Sequence, residues 1–244
     1  MKKIITLLLL VVTVVSTAQE STLLRLNYKT GEKFQIKMKM VQDMSAMGVF
    51  MKMNMEMESE VTDATNDVYT TKMSIKRIKM DAMQGGQEMT YDSNKKDEEL
   101  DETGKMLQAQ MKPMLAIYVT TTITNLGVVK EVIVEPSIPN EAQFKNQNGV
   151  EYPEKAVKVG SMWSEEKNNN GMKINSTYKV ISISKNLVEL SVAGKVTEMA
   201  TGTLKGTITI DRESGMALKS VMNMDMTVQG NKMKTSVEMT TEKM

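Results

Sequence analysis

Met51, Met53, Met55 and Met57 occupy alternate positions of the segment MKMNMEM, with Lys52, Asn54 and Glu56 between them. In an extended strand alternate side chains share a face, so this run presents thioethers on one side and polar groups on the other. Thioether sulfur is a soft ligand that suits Cu(I), and two methionines at i and i+2 lie close enough to share an ion. The same side chain is unbranched and polarizable, so a methionine face also makes an adaptable lining for a lipid or other apolar ligand. A third account is plain packing, in which strand patterning asks for an apolar residue and methionine satisfies it. The alternation recurs in Phe34-Ile36-Met38-Met40 and Met222-Met224-Met226-Val228, and the chain has 26 Met but only 3 Phe and 1 Trp. The candidate ligand-binding set is Met38, Met40, Met51, Met53, Met55, Met57, Met222, Met224 and Met226, with Met51, Met53, Met55 and Met57 as the Cu(I) alternative.

Other chemistry is narrowed by what is missing. The chain has no His and no Cys, which removes Ser-His-Asp and Cys-His catalysis, zinc sites of the usual ligands, disulfides and acylated cysteine. Carboxylate catalysis needs a pair across a cleft, and no spacing singles one out; Glu165-Glu166 and Asp97 to Glu102 read as solvated loop and helix-end charges. Gly85-Gly86 and Asp211 to Gly215 read as hairpin turns, since neither has the ligand alternation of a calcium loop nor the strand-to-helix context of a phosphate loop. With 31 basic and 30 acidic residues and few aromatics, nucleic acid is not an expected partner. The expectation is a non-enzymatic protein with no cofactor.

The elements that must hold the methionines are strands. Residues 1–18 carry Lys2 and Lys3, an apolar run from Ile4 to Val15, and Ser16-Thr17-Ala18, the pattern of a secretory signal peptide cleaved near Ala18. After it the longest purely apolar run is about six residues, far short of the roughly 20 of a membrane helix, so no transmembrane span is expected in the mature chain. The expected address is the periplasm or the exterior. Alternating patterns predict strands near 23–28, 33–44, 49–62, 68–80, 87–92, 117–124, 128–134, 172–183, 187–199, 203–210, 216–228 and 233–241, with turn residues such as Asn66-Asp67, Gly85-Gly86 and Gly230-Asn231 between them. Short connections of this kind make antiparallel hairpins. One interruption, near 97–115, places Leu107, Met111, Met114, Leu115 and Tyr118 at helical spacing, with Pro113 expected to kink or end the helix.

Three motif pairs recur in the same order. Gly31-Glu32-Lys33-Phe34 resembles Gly160-Ser161-Met162-Trp163, Met51-Lys52-Met53-Asn54 resembles Met172-Lys173-Ile174-Asn175, and Met89 to Ser93 resembles Ile208 to Arg212. The expected fold is therefore all-β and mainly antiparallel: a curved sheet or half-open barrel of two similar β-meander halves, residues 19–135 and 136–244, with one principal helix. The motifs YKTGEKF, TTTITNLGVVKEV, VKVGSMW and GTITIDRESGMALKS resemble a family of uncharacterised secreted Bacteroidota β-proteins, a resemblance that brings no function with it. More distantly the architecture resembles the half-barrels of Lol-type periplasmic lipoprotein carriers, which hold acyl chains between a curved sheet and helices; this is analogy of fold. Lipid binding on the methionine face further predicts a cavity lined by residues of both halves. Cu(I) binding, or an interaction module without a small ligand, are the alternatives.

Overall fold

A computed structural model describes residues 20–138, 144, 149–169 and 171–244; the signal peptide expected at residues 1–18 lies outside them. The chain forms one large, curved, mostly antiparallel sheet that is not closed into a barrel. In chain order the strands are β1 (Ser21–Thr22), β2 (Lys33–Met44), β3 (Val49–Thr65), β4 (Val68–Gln84), β5 (Gln87–Asp92), β6 (Tyr118–Thr124), β7 (Val129–Glu135), β8 (Val157–Lys158), β9 (Met162–Asn169), β10 (Met172–Ile183), β11 (Leu187–Glu198), β12 (Ala200–Asp211), β13 (Ala217–Val228) and β14 (Asn231–Lys243). The main sheet runs β7-β6-β4-β3-β2-β14-β13-β12-β11-β10-β9, with β5 sharing an edge of β4 with β6. Two meanders are thus fused where the last strand, β14, pairs with the first long one, β2, from Lys234↔Asp43 to Lys243↔Phe34.

Local chemistry explains the hairpins. Asn66 and Asp67 have φ of 52° and 62°, the left-handed pair that a two-residue turn of type I′ requires, and short polar side chains tolerate it. Curvature comes from bulges. Register slips by one residue between Glu56 and Met57 against β4, between Val61 and Asp63, and between Val180 and Ser182, and each extra residue bends its strand and adds twist.

Two expectations are modified. Residues 23–28 alternate as a strand should, with Leu24 and Leu26 buried and Leu23 exposed, but they join no sheet. Instead the Leu26 amide donates to the Asn125 carbonyl at 2.8 Å and the Asn27 amide to that of Ser214 at 2.9 Å, so the segment laces a turn of the first meander to a turn of the second. The helix, α1, spans Glu102–Leu115. Asp97–Glu99 form a separate 3-10 turn, and Tyr118 belongs to β6, 48% exposed. Pro113 is tolerated because it lies in the last turn, where its own carbonyl accepts from the Ala116 amide. The Asp101 carboxylate caps the other end, accepting from the Gly104 amide at 2.6 Å. Leu107, Met111, Met114 and Leu115 pack with Met55, Ile78 and Met80 of the sheet.

Candidate functional site

Pairing registers assign every strand residue to a face. One row runs Met239–Met38–Met55–Ile78, the next Met222–Val237–Met40–Met53–Met80, and the next Met224–Thr235–Gln42–Met51–Ala82. Met57 lies beside Ile36 and Ile75, and Met226 beside Met233. Directly paired residues project to the same side, so all nine candidate methionines share one face.

That face is the concave one. Tyr69 of β4 and Val180 of β10, separated by six intervening strands, join one buried cluster through Leu24, Leu26 and Tyr152, which only an inward-curling sheet permits. Two segments close this end. Besides residues 23–28, Tyr152 spans the gap: its amide donates to the Leu126 carbonyl at 2.7 Å and its hydroxyl to the Gly215 carbonyl at 2.6 Å. Burial raises the Tyr152 phenol far above its ordinary range, so the hydroxyl stays a donor. Away from this closure and from α1, cover thins. Met55, Met57 and Met226 are buried, whereas Met38, Met40, Met51, Met53, Met222 and Met224 are half-buried.

Glycine makes room for one methionine row. Gly206 faces Met222 across the β12–β13 pair, and a Cβ there would run into the Val221 carbonyl oxygen and the Met222 sulfur. The thioether lies over the glycine backbone. The neighbouring Thr235 is buried, and its hydroxyl has no hydrogen-bond partner.

A cavity of about 260 Å³ opens on the concave face between the lacing segment and the methionine rows. Leu26, Tyr28, Phe34, Met73 and Ile123 line it from the first meander, and Met216, Ala217 and Met239 from the second. None of the nine candidate methionines is among its described lining residues; Met38 and Met55 sit one and two places along the row from Met239. No run of alternating methionines marks Met73, Met216 or Met239 in the sequence. A wider recess of about 730 Å³ at the opposite rim touches Met226 and Met233 but is bordered by Lys195, Asp225, Lys232 and Lys234.

Phe34 lines the cavity and packs on Tyr28 with ring centroids 5.7 Å apart. Trp163 instead stacks on Tyr178 at 5.4 Å and donates its indole N–H to the Glu151 carbonyl at 2.8 Å. Beside it lies a polar cluster that corrects the sequence reading of Glu165 as a loop charge. Glu165 is in β9, its side chain 7% exposed and 2.6 Å from the Lys167 ammonium. The Tyr178 hydroxyl donates to its other oxygen at 3.0 Å. Burial, and then the Glu165 charge, raise the Glu151 carboxyl above its ordinary range. Glu166 points the other way and pairs with Lys173 at 2.8 Å.

The protein is therefore an open, strongly curved antiparallel sheet with an apolar concave face. Residues 141–217 match the profile of a family of unknown function, DUF6263. A search of curated protein sequences finds no match. Among solved structures, one described as lipid-protein interactions in lipovitellin is similar at a TM-score of 0.58 and 9% identity, over 89% of this chain and 25% of that chain. This chain thus spans a quarter of that one, and at such identity the likeness is one of fold alone. A structure of MucB in complex with MucA(peri) aligns over 86% of this chain and 89% of that one at 11% identity, but its TM-score of 0.12 carries no argument.

Proposed function

We propose that this protein is a non-enzymatic binder of a lipid or other apolar ligand, acting in the periplasm or outside the cell after removal of residues 1–18. The observation that carries the reading is the concave face itself, where rows of half-buried methionines continue into a cavity lined by both meanders. A soluble protein ordinarily covers so large an apolar surface, and where it does not, the surface serves recognition. Methionine suits that role because it repacks around varied shapes. The fold likeness to lipovitellin, whose structure is described in terms of lipid-protein interactions, is consistent with it. Among the described residues no helix is long and apolar enough to cross a membrane. The test is native mass spectrometry and solvent extraction of the protein purified after secretion. Co-purifying lipid in stoichiometric amount is the expected result; a ligand-free protein that takes up no lipid from vesicles would overturn the proposal.

One observation favours Cu(I) as a second reading. The row Met40–Met53–Met80 sets three thioethers side by side on adjacent strands, a spacing of roughly 5 Å that a soft cation could bridge. Replacing Met51, Met53, Met55 and Met57 together with Leu separates the two. Each change conserves volume and should cost at most about 1.5 kcal/mol. Lipid uptake should persist, with bulky ligands weakened as the lining stiffens; loss of tight Cu(I) binding with unchanged lipid uptake would instead support the metal.

A further inference from the structure

The polar atoms of the 260 Å³ cavity are as informative as its apolar ones. Among the described residues its polar side chains are those of Tyr28, Ser59, Thr71, Thr121 and Thr241, and no charged one lines it. Ser59, Thr71, Thr121 and Thr241 make no side-chain hydrogen bond, although hydroxyls on these strands readily do so: Thr70 and Thr122, one position away on the convex side, lie within 3.4 Å of each other. Thr71 and Thr121 are directly paired across β4 and β6, which holds their Cβ atoms about 5 Å apart. One ligand oxygen reaches both at that spacing. The Tyr28 phenol is kept neutral, its pKa pushed up by burial first and by the nearby Glu32 carboxylate second. The Glu32 charge is itself answered by Lys243 at 2.6 Å, which engages that ammonium outside the cavity.

We infer that this cavity selects an uncharged aliphatic ligand bearing an alcohol or ester oxygen, which Thr71 and Thr121 hydrogen-bond, and rejects carboxylate- or phosphate-headed lipids from the same space. The reason is desolvation. An ionised head group buried among apolar walls without a cation costs far more than hydroxyl donors return, whereas a neutral oxygen meets donors and acceptors already in place. The volume sits just below the roughly 300–1,000 Å³ of small-molecule pockets, which suits a single chain and not a bulky diacyl lipid held entire. This rests on the proposal that the concave face binds apolar ligands, and narrows it.

The test is calorimetric titration of the mature protein with decanol, methyl decanoate and decanoate at about pH 8, where the acid is ionised. Decanol and methyl decanoate share a chain and differ in the neutral head. Both should bind at least about tenfold more tightly than decanoate. The doubly substituted Thr71→Val, Thr121→Val protein, near-isosteric and without the two hydroxyls, should lose about five- to tenfold in affinity for both neutral probes, as expected for one or two modest hydrogen bonds. Decanoate binding as tightly as decanol would overturn the inference and leave apolar binding standing. Failure of all three probes to bind would overturn both. Neutral selectivity undiminished in the double variant, with its circular dichroism unchanged, would also refute the assignment to these hydroxyls. Selectivity in the unsubstituted protein is read independently of whether that variant folds.

Discussion

Thr235 and Gly206 show two opposite ways in which a residue meets the methionine rows. The Thr235 hydroxyl is buried without a partner, a cost of about 1–3 kcal/mol that valine, of nearly the same shape, would not incur. Thr235→Val should therefore raise the urea midpoint, by about 1 kcal/mol of stability, and an unchanged or lower midpoint would mean that the hydroxyl is satisfied in solution. Gly206→Ala should do the reverse. Its methyl would meet the Val221 backbone as well as the Met222 sulfur, and backbone cannot swing aside, so a loss of about 1–3 kcal/mol is expected. Neither effect could be read from sequence. Alternation places Met222, Met224 and Met226 on one face; which residues stand opposite them is a matter of register on both sides of β13, with Gly206 of β12 opposite Met222 and Thr235 of β14 opposite Met224. The cavity was hidden for the same reason. Its Thr71, Thr121, Met216 and Met239 are brought together only by pairings and a lacing segment that no local pattern announces.

Strands were legible because their period is short and their turns carry Gly, Asn and Asp; β2 and β10 begin and end where alternation places them. Residues 23–28 misled because a buried alternating segment and a paired strand look alike in sequence, and differ only in where their backbone hydrogen bonds go. The helix was legible in its middle and blurred at its start, where the acidic run divides into a 3-10 turn and a capped helix. Asp101→Ala should remove that cap and cost about 0.5–2 kcal/mol, read as lower stability with little change in strand content. Just upstream, Arg77 of β4 grips Asp92 at the end of β5 through two bonds, 3.1 Å and 2.6 Å long. The Arg77 hydrogen bonds hold the Asp92 carboxyl below its ordinary value of 3.8. A depressed pKa gives stability that is fully present above 3.8 and is lost as pH falls through the lowered value. Asp92→Asn should flatten that acid limb, seen as protection factors of the β5 amides that no longer fall on acidification; an unaltered limb would place the acid sensitivity elsewhere.

The two meanders invite comparison. Gly31 and Gly160, at φ of 87° and 89°, precede Phe34 and Trp163 in the first strand of each; Met53 and Ile174 fall in the second strand, and Met89 and Ile208 in the fourth. We propose that the halves are structural repeats, which superposition of β2–β5 on β9–β12 tests; mismatched strand directions or faces would refute it. Their surroundings differ nonetheless. β2 is flanked on both sides, while β9 is an edge, and there the inward-facing Glu165 and Lys167 give the exposed edge charges that discourage pairing with another chain. The seam between β14 and β2 has a consequence for how the molecule comes into being. The early strand β2 finds its second neighbour only in β14, most of the described chain later, so this sheet cannot be completed until β14 has emerged. Contacts so distant along the chain carry a large closure entropy and slow folding. Until β14 arrives, β2 carries an open edge beside a methionine-rich face, the kind of surface that chaperones hold and that aggregates if they do not. Nascent chains stalled before Asn231 should stay sensitive to protease along their whole length, and protection should appear in one step once β14 is released. Gradual protection, meander by meander, would show that each half folds without the other.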